Sequence, residues 1–223
     1  MDKRFLGIMG GLIIAFGAFF VISQNSNDNK TADTKSGTPP TNHVVGNAAS
    51  GVTLLEYVDY QCPVCGLYYQ PVKDAVDGFK DVAQYQLRHL PLVGPHPNAF
   101  AAARAAEAAH LQGKFWEMNN KLFENQSSWS NSTKPLEFFK SYAKEFGLDV
   151  AKFETDYASA KVNDIINADI TAFGKTGQQQ ATPTFFLNGR VINNKDLAGA
   201  NGFPTAEKIT AIVLAEVAKQ NKK

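Results

Sequence analysis

Two cysteines separated by two residues constrain this chain more than any other feature of its sequence. They lie in the segment Cys62-Pro63-Val64-Cys65 and are the only cysteines among 223 residues. At the start of a helix, thiols with this spacing form and break a disulfide with little backbone movement. The first thiol is then the nucleophile and the second is the resolving group. The pair therefore predicts thiol–disulfide exchange.

Other uses of a cysteine pair fit this chain less well. With no further cysteine, the pair cannot belong to a larger disulfide framework, and no second pair exists to complete a closed zinc site. A purely structural bridge is the alternative, although so short a loop restricts little chain entropy and would stabilise the fold only modestly. The histidines form no metal-ligand pattern, so we expect no metal and interpret each as structural or surface. They are His43, His89, His96 and His110.

The N-terminal segment predicts export from the cytoplasm. Residues 5–22 are apolar and uncharged, and as a helix they would measure about 27 Å, close to the hydrocarbon thickness of a bilayer. Lys3 and Arg4 precede this run, so the positive-inside rule places the rest of the chain outside. We expect residues 1–23 to be an uncleaved transmembrane anchor, because the run ends without a small-x-small cleavage site. A cleaved signal peptide is the alternative, and both export the domain.

The remainder of the chain predicts a tether and one domain. Residues 24–42 are dominated by Asn, Asp, Lys, Thr, Ser, Gly and Pro, which is typical of a flexible linker. Residues 43–223 are long enough to form one domain with its own core. The net charge is +1 and the basic residues are scattered, so nucleic-acid binding is not expected.

The spacing of apolar residues predicts an α/β domain. The predicted elements are a strand at 52–58, a helix from Pro63, a strand at 82–92, a helical block over about 97–175, a strand–Asn-Gly–strand hairpin at 184–192 and a helix from 206 to about 219. Pro63 suits the first turn of a helix, where its missing N–H costs nothing. One α/β core interrupted by a long helical insertion fits layer packing better than two independent domains.

Together these motifs resemble the thioredoxin superfamily, and specifically its DsbA-like branch. The resemblance covers about residues 45–219. It rests on LLEYVDYQCPVC around the cysteines, RHLPL on the next strand, HPNAFAAARAAEAA and QGKFWEMNNKLF in the insertion, and ATPTFFLNGRVI at the hairpin. It implies a thioredoxin-like fold with a helical insertion between the second strand and a cis-proline hairpin. One departure lies between the cysteines, where Pro63-Val64 replaces the Pro-His of the best-known members.

The resemblance also implies roles for individual residues. Cys62 would be the exposed nucleophile and Cys65 the buried resolving thiol. Pro183 would be a cis proline packed against the disulfide, and Thr182 would present backbone groups to a bound substrate strand. Glu56 matches the position of a buried acid near the resolving cysteine, and burial should raise its pKa toward neutrality so that it can carry a proton. The expected substrate-binding residues are Thr182, Pro183, Pro63 and Val64.

Reactivity at Cys62 depends on its thiolate. A free cysteine has a pKa of about 8.5, and a helix N-terminus offers unpaired N–H groups and the positive end of the helix dipole. We therefore expect a lowered pKa at Cys62. Val64 adds neither charge nor a hydrogen-bond donor, so we expect a smaller decrease than in relatives with histidine there. Asp59, three residues earlier, is expected to shape the turn rather than to take part in the chemistry.

These features predict an extracytoplasmic thiol:disulfide oxidoreductase, most simply a disulfide-forming oxidase. Its substrates would be exported proteins that are unfolded or partly folded. The resemblance implies a membrane partner that reoxidises the pair, either DsbB-like or vitamin K epoxide reductase-like. No cofactor is expected, because the dithiol is itself the redox group. The alternatives are a reductase or isomerase of exported proteins, and a redox-inert binding or chaperone module in which the disulfide is a staple.

Overall fold

The computed structural model of this chain describes residues 37–222. In that range the strands are β1 (His43–Gly46), β2 (Thr53–Val58), β3 (Gln84–His89), β4 (Thr184–Leu187) and β5 (Arg190–Ile192). The α-helices are α1 (Pro63–Phe79), α2 (Ala99–His110), α3 (Phe115–Glu124), α4 (Gln126–Trp129), α5 (Pro135–Glu145), α6 (Val150–Tyr157), α7 (Ala160–Gly174) and α8 (Ala206–Gln220). The anchor expected over residues 1–23 lies outside the described residues. None of the helices described here is long and apolar enough to cross a bilayer.

The five strands form one mixed sheet in the order β1-β3-β2-β4-β5. Strands β2 and β3 are parallel and are connected through α1, whereas the other neighbouring pairs are antiparallel. Helices α2 to α7 lie between β3 and β4 in the chain. The predicted α/β fold with a helical insertion before the hairpin is confirmed.

The sequence analysis missed strand β1 at the edge of the sheet. This strand has only four residues, so it carries too little alternation to be recognised from its sequence. Within residues 37–222 it pairs with β3 alone. Packing extends further still toward the N-terminus. Thr41, within the predicted tether, is buried, and its N–H and hydroxyl both donate to Asp169 at 2.7 and 2.6 Å.

Alternate residues of β2 point to opposite faces of the sheet, as the pleat requires. Leu54 and Val58 belong to the main core, which includes α1 and the insertion helices. Tyr57 belongs to a smaller cluster on the other face with Phe173 of α7. Glu56 lies between Leu54 and Val58 in the alternation, so its carboxyl group points toward the main core.

Candidate active site

The two cysteines lie where β2 gives way to α1. Cys62 immediately precedes the helix, Cys65 lies in its first turn, and both are free thiols. Cys62 is only 6% exposed and Cys65 is 1% exposed, so the expectation of an exposed Cys62 is wrong. Its thiol is recessed against the loop before β4, where its Sγ donates to the Thr182 carbonyl oxygen at 3.5 Å. Pro63 and Val64 are the exposed residues of the motif.

The surroundings of Cys62 favour its thiolate. Its pKa is lowered from 9.0 to about 5, and the largest cause is a hydrogen bond from the Cys65 thiol. Partial burial opposes the decrease, whereas the side chain of Thr182, rather than its carbonyl group, and the backbone N–H groups of Val64 and Cys65 add to it. The expectation of a lowered pKa is therefore confirmed. The comparison with relatives that carry histidine at the position of Val64 stays a prediction.

The surroundings of Cys65 have the opposite effect. Burial raises the pKa of its thiol well above 9.0, and the hydrogen bond to Cys62 and the negative charge of that residue raise it further. Two neighbouring thiols thus differ sharply in acidity. Because of this difference, Cys62 is suited to attack or to leave as a thiolate, whereas Cys65 keeps its proton.

The loop before β4 covers the cysteine pair. The Thr182–Pro183 peptide bond is cis, which confirms the expected conformation of Pro183. The Pro183 carbonyl oxygen accepts a hydrogen bond from Asn194 Nδ2 at 3.0 Å, which links this loop to the segment after β5. Strand β4 begins at Thr184, one residue later. The loop therefore holds the half-buried Thr182 beside the recessed thiol.

Glu56 is buried behind the cysteine pair. Burial raises its pKa from 4.5 to about 7, although a hydrogen bond from the Tyr85 hydroxyl, at 2.5 Å from Oε2, acts in the other direction. No hydrogen bond joins Glu56 to Cys65 in the described part of the chain. Both residues line one cavity of about 190 Å³, which is large enough for several water molecules. The expected burial and raised pKa of Glu56 are confirmed.

Asp59 holds the turn that leads to Cys62. Its Oδ1 accepts hydrogen bonds from the backbone N–H groups of Gln61 and Cys62 at 2.8 and 3.2 Å. Its Oδ2 accepts one from the Leu92 N–H at 2.9 Å and is paired with His96 Nδ1 at 2.7 Å. Asp59 therefore shapes the turn, as expected, and also ties it to the loop after β3.

Gln126 of the insertion supports the same turn from the other side. Its Nε2 donates to the backbone oxygens of Tyr60 and Cys62 at 2.8 and 2.9 Å. Its Oε1 lies so close to Gly66 that a Cβ there would come within 2.7 Å of it. Sequence reasoning missed this residue, because the contact joins positions 64 residues apart and no motif marks them.

One group of described side chains outside this site brings metal-ligating atoms together. It comprises His43, His89 and Glu107, whose ligand atoms all lie within 4.8 Å of one another. The sequence analysis predicted no metal and did not connect these residues. Glu107 is 64 residues from His43 and 18 from His89, which matches no short metal motif.

Comparisons with known proteins agree with this geometry. A family model described as thioredoxin matches residues 38–203. The chain is similar to a thioredoxin-like oxidoreductase from Silicibacter pomeroyi DSS-3, with 25% identity and a TM-score of 0.60 over 81% of this chain and 92% of that one. It is also similar in fold to oxidised BdbD from Bacillus subtilis, with 20% identity and a TM-score of 0.66 over 81% of this chain and 97% of that one.

A curated relative carries a different name. The protein called Na(+)/H(+) antiporter NhaA 1 from Mycolicibacterium gilvum is 38% identical over 156 residues, which cover 68% of this chain and 24% of that protein. The chain thus spans about a quarter of the length of the antiporter it matches. The likeness concerns that portion alone.

Proposed function

This chain belongs to the thioredoxin family, and we propose that it is an extracytoplasmic thiol:disulfide oxidoreductase that forms disulfides in exported proteins. The observation that carries the proposal is the contrast between its two thiols. The pKa of Cys62 is lowered to about 5, whereas that of Cys65 is raised. A stabilised Cys62 thiolate favours the reduced form of the pair, which makes the disulfide form the better oxidant.

In the proposed reaction, a substrate thiolate attacks Cys62 Sγ of the disulfide and Cys65 leaves as a thiolate. A second substrate thiolate then attacks the substrate sulfur of the mixed disulfide and releases the Cys62 thiolate. The substrate loses two electrons and gains a disulfide, and the cysteine pair takes up those electrons. Cys62 leaves readily because its thiolate is stable at neutral pH.

Cys65 needs a proton when it leaves, since its thiol has a raised pKa. We assign the supply of that proton to Glu56, which has a pKa of about 7 and shares a cavity with Cys65. In the reverse direction, Glu56 accepts the proton while Cys65 resolves a mixed disulfide. Replacing Glu56 by glutamine should slow the attack on the disulfide, because Cys65 leaves in that step, and should likewise slow resolution by Cys65 in the reverse direction. Release of the Cys62 thiolate by the second substrate thiolate should be nearly unchanged.

The surface around the cysteine pair suits an extended protein substrate. Val64 and Leu67 are 45% and 53% exposed at the start of α1 and offer apolar contact beside the recessed thiol. Thr182 contacts the same thiol through its carbonyl oxygen, and backbone groups beside the cis Thr182–Pro183 bond can pair with a substrate strand. Unfolded or partly folded exported proteins present such segments, and the apolar run over residues 5–22 supports the extracytoplasmic location.

Continued turnover requires a partner that reoxidises Cys62 and Cys65. We propose a membrane protein for this role, either DsbB-like or vitamin K epoxide reductase-like, because the predicted anchor would hold the domain at the membrane surface. The dithiol carries the electrons itself, so the reaction needs no cofactor bound to this chain.

The equilibrium reduction potential of the Cys62–Cys65 pair tests the oxidase proposal. We would measure it by glutathione titration of the full chain in detergent. A value well above about −180 mV supports a disulfide-forming oxidase, whereas one near or below about −250 mV would overturn the proposal in favour of a reductase.

Matched cysteine variants test whether redox chemistry carries the function at all. Cys62→Ser should abolish oxidation of a reduced, unfolded protein substrate, whereas Cys65→Ser should accumulate mixed disulfides through Cys62. Full function in Cys62→Ser would show instead a binding or chaperone module in which the disulfide is only a staple.

A further inference from the structure

Two imidazoles and a carboxylate meet inside the domain, apart from the cysteine pair. His43 Nε2 and His89 Nε2 lie 2.6 and 2.7 Å from the same oxygen, Oε1 of Glu107. All three side chains are buried, with Glu107 only 1% exposed and His89 fully covered. Two ring nitrogens thus lie within hydrogen-bond distance of one buried carboxylate oxygen.

The fold gathers these residues from three elements. His43 pairs with Leu87 across the antiparallel β1–β3 ladder, so His89, two residues further along β3, is its diagonal neighbour on the same face. Glu107 reaches this face from α2. The Phe115 ring stacks on the His43 ring at a centroid distance of 3.5 Å and closes the group on one side.

The buried carboxylates around this group have no lysine or arginine paired with them among residues 37–222. Asp169 is also fully buried, and its Oδ2 accepts the His89 backbone N–H at 2.8 Å. Neither Glu107 nor Asp169 has a lysine or arginine partner among residues 37–222. Two buried carboxylates without a fixed positive charge are costly unless protons on the histidines or another cation balance them.

We propose that His43, His89 and Glu107 form a binding site for a divalent transition-metal ion of the zinc class. Two imidazole nitrogens and one carboxylate oxygen are the ligand set that suits Zn²⁺, Co²⁺ or Ni²⁺, whereas Mg²⁺ and Ca²⁺ prefer oxygen ligands throughout. The ion would supply the positive charge that the buried carboxylates lack. It would also join β1, β3 and α2, and it would act on stability rather than on thiol exchange.

To accept such an ion, the two rings must move away from Glu107 Oε1, which they contact at hydrogen-bond distance. Tetrahedral zinc with bonds of about 2.0–2.2 Å separates its ligand atoms by about 3.3 Å. Each ring would therefore retract by roughly 0.6 Å from Glu107 Oε1. Each ring would present the lone pair of its Nε2 to the ion and carry its hydrogen on Nδ1, and a histidinium would release one proton. The buried Nδ1 of His89 has no hydrogen-bond partner among residues 37–222. Water or another small ligand would complete the four positions.

The test uses the full chain in detergent with the Cys62–Cys65 pair oxidised, because free thiols would bind the same ions. Chelator-treated protein would be titrated with Co²⁺, followed by visible absorption, and the cobalt would then be displaced by Zn²⁺. We expect one equivalent to bind with the absorption of a four-coordinate nitrogen and oxygen site and without thiolate bands.

Variants assign the ion to these three residues. Glu107→Gln keeps the size of the side chain and an oxygen acceptor but removes the charge, so we expect affinity to fall by at least about 100-fold. His89→Asn should have a similar effect. His96→Asn is the matched control, because it also removes an imidazole from a buried carboxylate, Asp59, and it should leave affinity unchanged.

Two measurements on the wild-type chain, its Tm and its metal affinity, do not depend on how well the variants fold. The Tm of the oxidised wild-type chain should rise with Zn²⁺ concentration and not with Mg²⁺. Absence of tight binding to that wild-type chain would overturn the proposal, as would unchanged binding in both Glu107→Gln and His89→Asn. The reduction potential, measured separately, should be unaffected in Glu107→Gln, so the metal site and the oxidase activity can fail independently.

Discussion

At the scale of single residues, hydrogen-bond donors around Cys62 favour its thiolate. The Cys65 thiol has the largest effect, and Thr182 and two backbone N–H groups add to it. The same hydrogen bond holds a proton on Cys65, whose pKa is raised. The acidity of each sulfur therefore depends on the other, and a change at Cys65 should be seen at Cys62.

Titration of the reduced chain tests this dependence. The thiolate absorbance of Cys62 should develop with a midpoint near pH 5. Cys65→Ala removes the strongest donor, so the midpoint should move upward. Cys62→Ser should show no transition in this range, which assigns the signal. A midpoint near the value of a free cysteine in the wild-type chain would contradict the structure.

Glu56 should make stability depend on pH. Its pKa in the folded state, about 7, lies above 4.5, so between these values the unfolded chain has lost a proton that the folded chain keeps. Stability therefore falls as pH rises through this window, by about 3 kcal/mol at most. Glu56→Gln lacks this loss and should exceed the wild type in stability above pH 7.

Urea unfolding of the oxidised chain between pH 4.5 and 8 measures this effect without interference from the thiols. Glu207→Gln, at an exposed position at the start of α8, is the control and should follow the wild-type curve. A constant difference between Glu56→Gln and the wild type at every pH would show that Glu56 titrates normally.

At the scale of elements, the N-terminus of α1 is held by parts of the chain that are distant in sequence. Asp59 links it to the loop after β3, and Gln126 of α4 links it to the insertion. Gly66 allows the second link, because a larger residue would displace the Gln126 side chain. The insertion thus contributes directly to the position of the cysteine pair.

Alanine substitutions at two glycines of α1, Gly66 and Gly78, distinguish the effect of the Gln126 contact from the effect of helix propensity. Gly78→Ala places a Cβ in ordinary contact with Thr210, at 3.4 Å or more, and should stabilise the helix by up to about 1 kcal/mol. Gly66→Ala should have the same gain in helix propensity but should lose the two Gln126 hydrogen bonds. Its stability should be lower than that of Gly78→Ala by about 2 kcal/mol, measured by urea unfolding. Equal stabilities would show that Gln126 adapts without loss.

Some of the turns, caps and strands follow from local sequence patterns, whereas others do not. The Asn188-Gly189 turn was predicted and has the positive φ angles that such a hairpin needs. Asp149 and Thr205 cap α6 and α8, and their side chains accept hydrogen bonds from the N–H groups of Lys152 and Lys208 in the first turn of each helix. The strand β1 and the four-residue helix α4 were missed, because both are too short for periodicity and form through packing against the rest of the domain.

At the scale of the whole molecule, redox state and stability are linked. A Cys62 thiolate that is stabilised only in the folded, reduced chain raises the stability of that form relative to the disulfide form. Helix α1 connects the parallel strands β2 and β3, so the N-terminus of α1 lies at one end of the sheet. The loop before β4 completes the site from the other side.

Thermal unfolding of the full chain in both redox states measures this link. At pH 7 the reduced form should have a Tm higher than that of the oxidised form by roughly 5 °C or more. The lowered pKa of Cys62 gives stability at neutral pH that is lost as pH falls through about 5, so the difference should shrink in acid. A more stable oxidised form at pH 7 would contradict the oxidase proposal. Cys62→Ala should give the same Tm with and without reductant.

The sequence by itself determined the features that depend on neighbouring residues. These are the cysteine pair at a helix start, the order of strands and helices, the helical insertion and the hairpin turn. Each follows from backbone preferences or from side chains within a few positions of one another. The family resemblance added the cis conformation at Pro183, which the structure confirms.

Only the tertiary structure decided which distant residues share a site. Cys62 is recessed because it meets Thr182, 120 residues away, and its turn is held by Gln126, 64 residues away. The meeting of His43 and His89 at Glu107 likewise depends on the register of β1 on β3 and on the position of α2. Such contacts arise when whole elements pack together, and packing joins residues whose separation along the chain carries no local signal.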